Sequence, residues 1–181
     1  HNELRYMLDT LVESAQLIYE KEPAAHFLVP VANTLSRADI QSRFPTELPV
    51  SFVEADDATI YDVASSCDTI LTVSGTVTLQ IALVGTPMAI FYKVSPLTYA
   101  IGKRLIKVDH AGLANIVAED RIVPEFIQDM ATPQNLADEA LRVLNDSRYA
   151  TDMRSALGKV HLKLGAPGCS ARVADMLLQL L

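Results

Sequence analysis

Tryptophan is absent from these 181 residues, and there are only two cysteines and seven glycines. Cys67 and Cys169 lie too far apart to form a metal or redox spacing, so reduced thiols in a cytosolic setting are the expectation. No apolar run approaches the roughly 20 residues that a membrane-spanning helix needs. Charged residues are few as well, at 20%, while half of the chain is apolar, which excludes a disordered class. Positive charge is the scarcer sign. The net charge of −7 argues against general nucleic-acid binding and makes any local basic cluster informative. Length favours one domain with a substantial core. The chain does not begin with methionine, and its first residues already follow a helical pattern, so a fragment of a longer protein is expected.

What the sequence does contain is an alternation of two patterns. Leu4, Met7, Leu8, Leu11, Val12, Ala15, Ile18 and Tyr19 form one stripe of a helix over 3–20, with Asn2 as its cap and Pro23 beyond its end. Short apolar runs without helical period follow at "AHFLVPV" (25–31), "PVSFVEA" (49–55), "DTILTV" (68–73) and "PMAIFY" (87–92), each predicting a buried strand. Helices are expected between them at 58–66, capped by Asp56 or Asp57, and at 77–84, closed by Gly85. Further helices are expected from Thr132-Pro133 to about Leu144, over about 148–164, and after Ser170 as a cap. Strands and helices alternating at this pitch indicate an α/β fold, a doubly wound, Rossmann-like parallel sheet.

One junction carries chemistry. The third strand runs straight into Ser74-Gly75-Thr76 and then into a helix. In open α/β sheets, ligands bind at the carboxyl ends of strands, where free N–H groups at a helix start attract phosphate. Two readings are open at this point. The triplet either caps a helix and makes a turn, or leaves the helix end free for an anion.

The segment "FVEADDATIYDVASSCDTILTVSGTVTLQIALVGTPM" (52–88) resembles the nucleotide-sugar half of GT-B glycosyltransferases, and within them the lipid-A-disaccharide synthase family. "VPVAN" (29–33), "YKVSPLTYAIGKRLIKVDHAGLANIVA" (92–118), "IVPEFIQD" (122–129) and "GAPGCSARVA" (165–174) extend the resemblance over nearly the whole chain. It implies a single nucleotide-sugar-binding domain at 1–181, part of a longer two-domain enzyme. The implied reaction joins UDP-2,3-diacylglucosamine to 2,3-diacylglucosamine 1-phosphate with inversion, releasing UDP. By resemblance, Ser74, Gly75 and Thr76 meet the diphosphate, and a loop at Phe52-Val53 walls the uracil. Asn115 lies near the donor, and Lys93 is the cation nearest the diphosphate. Gln80 stands where relatives usually carry a glutamate that accepts from the ribose hydroxyls; an amide loses the charge-assisted part of those bonds. Ala114 stands where the family usually has proline. The family's glycine-rich phosphate loop, and the central strand leading into it, would precede His1, so a gap in the sheet is expected.

Lys93, Lys103, Arg104 and Lys107 oppose a single acid, Asp109, and alternate with Leu97, Tyr99, Ile101, Leu105 and Ile106. This is either a solvated helix or, as the acylated substrates of the family imply, a surface with Lys103, Arg104, Lys107 and Tyr99 facing anionic lipid head groups. The resemblance further implies an acceptor domain upstream and a peripheral place on the cytoplasmic face of the inner membrane. It also implies a homodimer, with the last helix, 170–181, packing on another domain or protomer. No metal or cofactor is expected, and no catalytic residue in this half. His26 reads as a packed or capping residue, and Glu125 with Asp129 as a solvated face of a short helix. Two alternatives stand beside this reading. One is another GT-B transferase or UDP-sugar epimerase; the other is a non-catalytic nucleotide- or lipid-binding module.

Overall fold

The computed structural model describes residues 2–54, 58–94, 110–165 and 168–179. Helix α1 (Asn2–Lys21) buries Val12, Ala15 and Ile18, three residues apart along its apolar stripe, and Asn2 is its first helical residue rather than its cap. Strand β1 (Phe27–Val31), a short helix α2 (Arg37–Gln41) and strand β2 (Val50–Glu54) follow. Helix α3 (Ile60–Ser65) is capped by Thr59, not by Asp56 or Asp57. The Thr59 hydroxyl accepts from Asp62 N–H, and Asp62 answers at the Thr59 N–H, 2.9 Å away, a capping box. Strand β3 (Ile70–Val73), helix α4 (Val77–Val84) and strand β4 (Met88–Tyr92) lie where the pattern puts them. Gly85 ends α4 at φ 83°, a left-handed conformation that costs glycine nothing.

Beyond β4 come helix α5 (Leu113–Ala118), strand β5 (Glu125–Ile127) with one 3-10 turn (Gln128–Met130), and helices α6 (Pro133–Asn145), α7 (Ser147–Leu164) and α8 (Cys169–Leu178). Thr132 caps α6, accepting from Asn135 N–H, with Pro133 in the first turn as expected. At α8 the residue before the helix is Gly168, at φ 92°, so Ser170 lies inside the helix instead of capping it. The short helix expected to carry Glu125 and Asp129 is instead β5 followed by the 3-10 turn, because residues 125–127 pair in parallel with Ile90, Phe91 and Tyr92.

Helices cover both faces, as a doubly wound sheet requires. Met88 and Ile90 point to one side, against Ile81, Ala114, Val123 and Leu157 of the α4–α5–α7 layer. Phe91 points to the other, against Ala131 and Leu136, while Ala137, Ala140 and Leu141 of α6 pack on Ile18 of α1. Strand β4 is apolar on both faces, so it reads as an unbroken hydrophobic run. At the α6–α7 corner the Tyr149 hydroxyl donates to Glu139 Oε1 at 2.7 Å, and the Arg142 guanidinium lies 3.6 Å over its ring. Partial burial, then the Glu139 carboxylate, push the phenol up to about 12. A raised folded value stabilises fully below the free value near 10 and is lost as pH climbs through about 12. Tyr149→Phe should therefore remove that part of the alkaline loss of stability, read from urea midpoints across that range.

The strands form two sheets, not one. Among the described residues β1 pairs only with β2, and the order of the other sheet is β3-β4-β5; all these pairs are parallel. Between them, β1 and β3 both line a cavity of about 980 Å³, together with helix residues such as Leu11, Ile18, Val63, Ile81 and Val143. Two edges without a strand partner among the described residues thus border an apolar slot.

Candidate functional site

The carboxyl edge of the β3-β4-β5 sheet is assembled from three chain segments. Ser74 follows β3 and donates its N–H to Phe91 C=O at 3.3 Å, which carries the β3–β4 ladder one step further. Gly75 and Thr76 are exposed and lead into α4. Thr76 occupies the cap position without a side-chain cap bond, so its hydroxyl is not used to close the helix. The Thr78 hydroxyl turns back instead, donating to Gly75 C=O at 2.8 Å. Among the described residues, no group accepts from the N–H of Gly75, Thr76 or Val77. The start of this eight-residue helix thus presents three free donors together with its positive dipole end.

Gly75 is informative by contrast with Gly112. A Cβ placed at Gly75 would touch nothing within 4 Å, and its φ is not in the left-handed range, so neither packing nor conformation demands glycine. A Cβ at Gly112 would run into Ile90 Cδ1 and approach Glu125 Oε1 to 3.2 Å. Gly112→Ala should accordingly cost about 1–3 kcal/mol through overpacking. Gly75→Ala should leave the urea midpoint unchanged or slightly raised. Equal losses at both positions would contradict this assignment.

Gln80 lies one turn beyond Thr76 on α4, half-buried, with no side-chain partner among the described residues. Lys93 follows β4, half-buried and without an acid partner among the described residues. Its neighbour Val94 is held on both sides by Gln128. The Gln128 Oε1 accepts from Val94 N–H at 2.7 Å, and Nε2 donates to Val94 C=O at 3.0 Å. Gln128 adopts φ 52° to do so, a conformation rare for a residue with a side chain. The backbone strain marks how tightly the chain leaving β4 is fixed.

Residues 110–112 pass over Ile90 and close the site on the α5 side. The Ser74 hydroxyl donates to Ala111 C=O at 2.6 Å. Its one proton is thus engaged, leaving Ser74 Oγ as an acceptor; the exposed Thr76 hydroxyl keeps its proton available. Glu125, expected on a solvated helix face, is half-buried at the start of β5 and accepts three bonds. Ala111 N–H reaches Oε2 at 2.9 Å, while Gly112 N–H and Asn115 Nδ2 reach Oε1 at 2.8 and 2.9 Å. Helix α5 therefore begins against a protein carboxylate, whereas α4 begins open. Asn115 is fully buried. Its Nδ2 also donates to Val123 C=O at 2.9 Å, and its Oδ1 accepts from Ile122 and Val123 N–H, each at 3.0 Å. Both donors and both acceptor positions are filled within the protein, which leaves this side chain none for a ligand.

The structure thus gathers Ser74, Gly75, Thr76, Gln80 and Lys93 at one edge, with Asn115 behind it. Val53 is not with them. Phe52 and Val53 lie inside β2, paired with Val29 and Pro30 of β1, rather than in a loop, and Phe52 packs edge-on against Phe44. β1 and the slot separate β2 from α4. Tyr99, Lys103, Arg104 and Lys107 lie outside the described residues. His26 is exposed and bonds Ser51 Oγ through Nε2 at 2.9 Å, between β1 and β2. Burial and the adjacent Asp68 raise the pKa of the Cys67 thiol, and Cys169 is free and exposed. Among the described residues no group of three or more His, Cys, Asp or Glu could hold a metal ion, and no helix is long and apolar enough to cross a membrane.

Known proteins match this chain closely. The family model described as lipid-A-disaccharide synthetase matches residues 1–173. A lipid-A-disaccharide synthase from Syntrophotalea carbinolica is 51% identical over 180 residues, covering 99% of this chain and 45% of that protein. The one from Geobacter metallireducens is 48% identical over 179 residues, again 99% of this chain and 46% of the relative. The chain spans somewhat under half the length of these curated relatives. A crystal structure described as the glycotransferase of kitacinnamycin superposes with a TM-score of 0.57 over 97% of this chain and 39% of that one; at 17% identity it shows the fold alone. With the family model matching nearly end to end, the chain belongs to the lipid-A-disaccharide synthase family.

Proposed function

We propose that this chain is the donor-binding part of a lipid-A-disaccharide synthase, a glycosyltransferase, and that UDP-2,3-diacylglucosamine is the donor. The observation that carries this reading is the open start of α4, with the N–H groups of Gly75, Thr76 and Val77 unengaged beside a glycine the fold does not need. In the proposed reaction the diphosphate leaves as the glycosidic bond breaks. Those N–H groups, the Thr76 hydroxyl and Lys93 would stabilise the charge that develops on it, by preorganised electrostatics. The Gln80 amide would accept from the ribose. The base that activates the acceptor hydroxyl belongs, in this reading, to an acceptor domain outside these 181 residues, so the chain alone binds UDP and turns nothing over.

The slot between β1 and β3 supports the same division, since a longer protein can supply the strand it lacks. Met176, Leu177 and Leu178 on α8 are each more than half exposed, which suits packing on that domain or on a second protomer. Lys103, Arg104, Lys107 and Tyr99 would face anionic head groups at the cytoplasmic face of the inner membrane, where the acylated glucosamine substrates reside. Calorimetric titration with UDP and with uridine tests the central assignment. UDP should bind at least about tenfold more tightly, a difference of about 1.4 kcal/mol from the diphosphate; equal affinities would refute it. Gln80→Glu should tighten UDP binding about fivefold, because a charged acceptor adds about 1 kcal/mol over an amide. No change would favour a non-catalytic module that does not read the ribose at this position.

A further inference from the structure

We propose that Glu125 is a positioning residue for the diphosphate site, acting through the 111–112 peptide on Ser74 and touching no ligand itself; this rests on the reading of α4 as that site. Two helices start at this edge, and only the start of α5 is faced by a protein carboxylate among the described residues. At α5, Glu125 takes the Ala111 and Gly112 N–H groups, so a protein carboxylate already stands against that start. The same carboxylate is steadied by Asn115, whose remaining bonds go to residues 122 and 123 on the chain entering β5. Gly112 has no room for a side chain, so the peptide lies directly on Ile90 and the carboxylate. With both oxygens of Glu125 and the whole Asn115 amide committed, the 111–112 peptide has one orientation.

That orientation aims the Ala111 carbonyl at Ser74 Oγ, 2.6 Å away. Two consequences follow at the anion site. The carbonyl dipole is engaged by a hydroxyl instead of presenting bare negative charge to a diphosphate. Ser74, immediately before the free N–H groups, is held in one rotamer, which fixes the turn that aims them. Glu125 is a negative group that serves an anion site by occupying the wrong helix and ordering the right one.

The test is Glu125→Gln, whose single acceptor oxygen cannot serve all three donors. The folded variant should bind UDP about tenfold more weakly than wild type. Ser74→Ala added to it should weaken UDP binding less than twofold further, since both changes break the same link. A merely structural role predicts a lower melting temperature, unchanged UDP affinity of the folded protein, and additive effects; that pattern would overturn the proposal. If Glu125→Gln does not fold, wild-type amide exchange decides. UDP should slow exchange at Ala111 and Gly112 as well as at 75–77, while uridine slows neither. Protection confined to 75–77 would overturn the proposal and leave the anion site standing. A wild type that does not prefer UDP over uridine would remove the site itself, and this inference with it.

Discussion

Asn115→Ala is expected to lower stability by about 4 kcal/mol, the largest effect of any single substitution considered. The side chain is fully buried and makes four hydrogen bonds, to Val123 C=O, Glu125 Oε1 and the N–H groups of Ile122 and Val123. Each bond contributes about 1 kcal/mol net, and leaving buried donors unpaired adds about 1–3 kcal/mol per group. Partial relaxation and entering water limit the sum. Because whole domains are stable by only about 5–15 kcal/mol, the variant should be marginal at room temperature. Asn115→Asp separates the two halves of the network. It keeps the acceptor for Ile122 and Val123 but loses both donors and sets a second carboxylate against Glu125. If the donor side matters, Asp should be at least as damaging as Ala at neutral pH. Urea midpoints measure both; a loss under about 1 kcal/mol for Ala would mean that the amide is dispensable.

Gly75→Asp is expected to weaken UDP binding by about a hundredfold or more while leaving the fold intact or slightly stabilised. The position has open space around it and no left-handed φ, so the protein accommodates a side chain. A carboxylate at the start of α4 interacts favourably with the helix dipole, by about 0.3–1 kcal/mol. The same charge would sit where the diphosphate is proposed to rest. Two unit charges 4 Å apart repel by about 4 kcal/mol near a protein surface, enough for the loss even after screening. Opposite signs for stability and binding are the signature of a ligand site. A variant that bound UDP as well as wild type would place the diphosphate elsewhere.

The four longer strands were legible because buried parallel strands are unbroken apolar runs, and α1, α3, α4, α6, α7 and α8 because of their period and their breakers. The short helices α2 and α5, with five and six residues, carry too little period to stand out. β5 was not. Only three residues long, it begins with a glutamate, and the spacing of Glu125 and Asp129 imitates one helical turn. Its strand character comes from pairing with Ile90–Tyr92, a contact no local pattern encodes. The role of Glu125 was hidden for the same reason, since its donors sit 10–14 residues earlier in the chain. A glycine at 112 followed by a lone asparagine in an otherwise apolar helix start was the one available signal. The Ser74-Gly75-Thr76 turn stands out in the sequence, yet its three members differ only in the folded chain. Ser74 Oγ is tied to Ala111, Thr76 is free, and Gly75 is unforced. Val53 lies within the apolar run at 49–55 that reads as a strand; the loop there is implied by the resemblance alone, and pairing with Pro30 overrules it.

The most direct measurement follows the backbone amides of Gly75, Thr76 and Val77 by nuclear magnetic resonance while UDP, inorganic pyrophosphate or uridine is added. UDP and pyrophosphate should both move these three signals, with uridine leaving them in place. Shifts that bypass 75–77, or that uridine reproduces in full, would contradict an anion site at the start of α4.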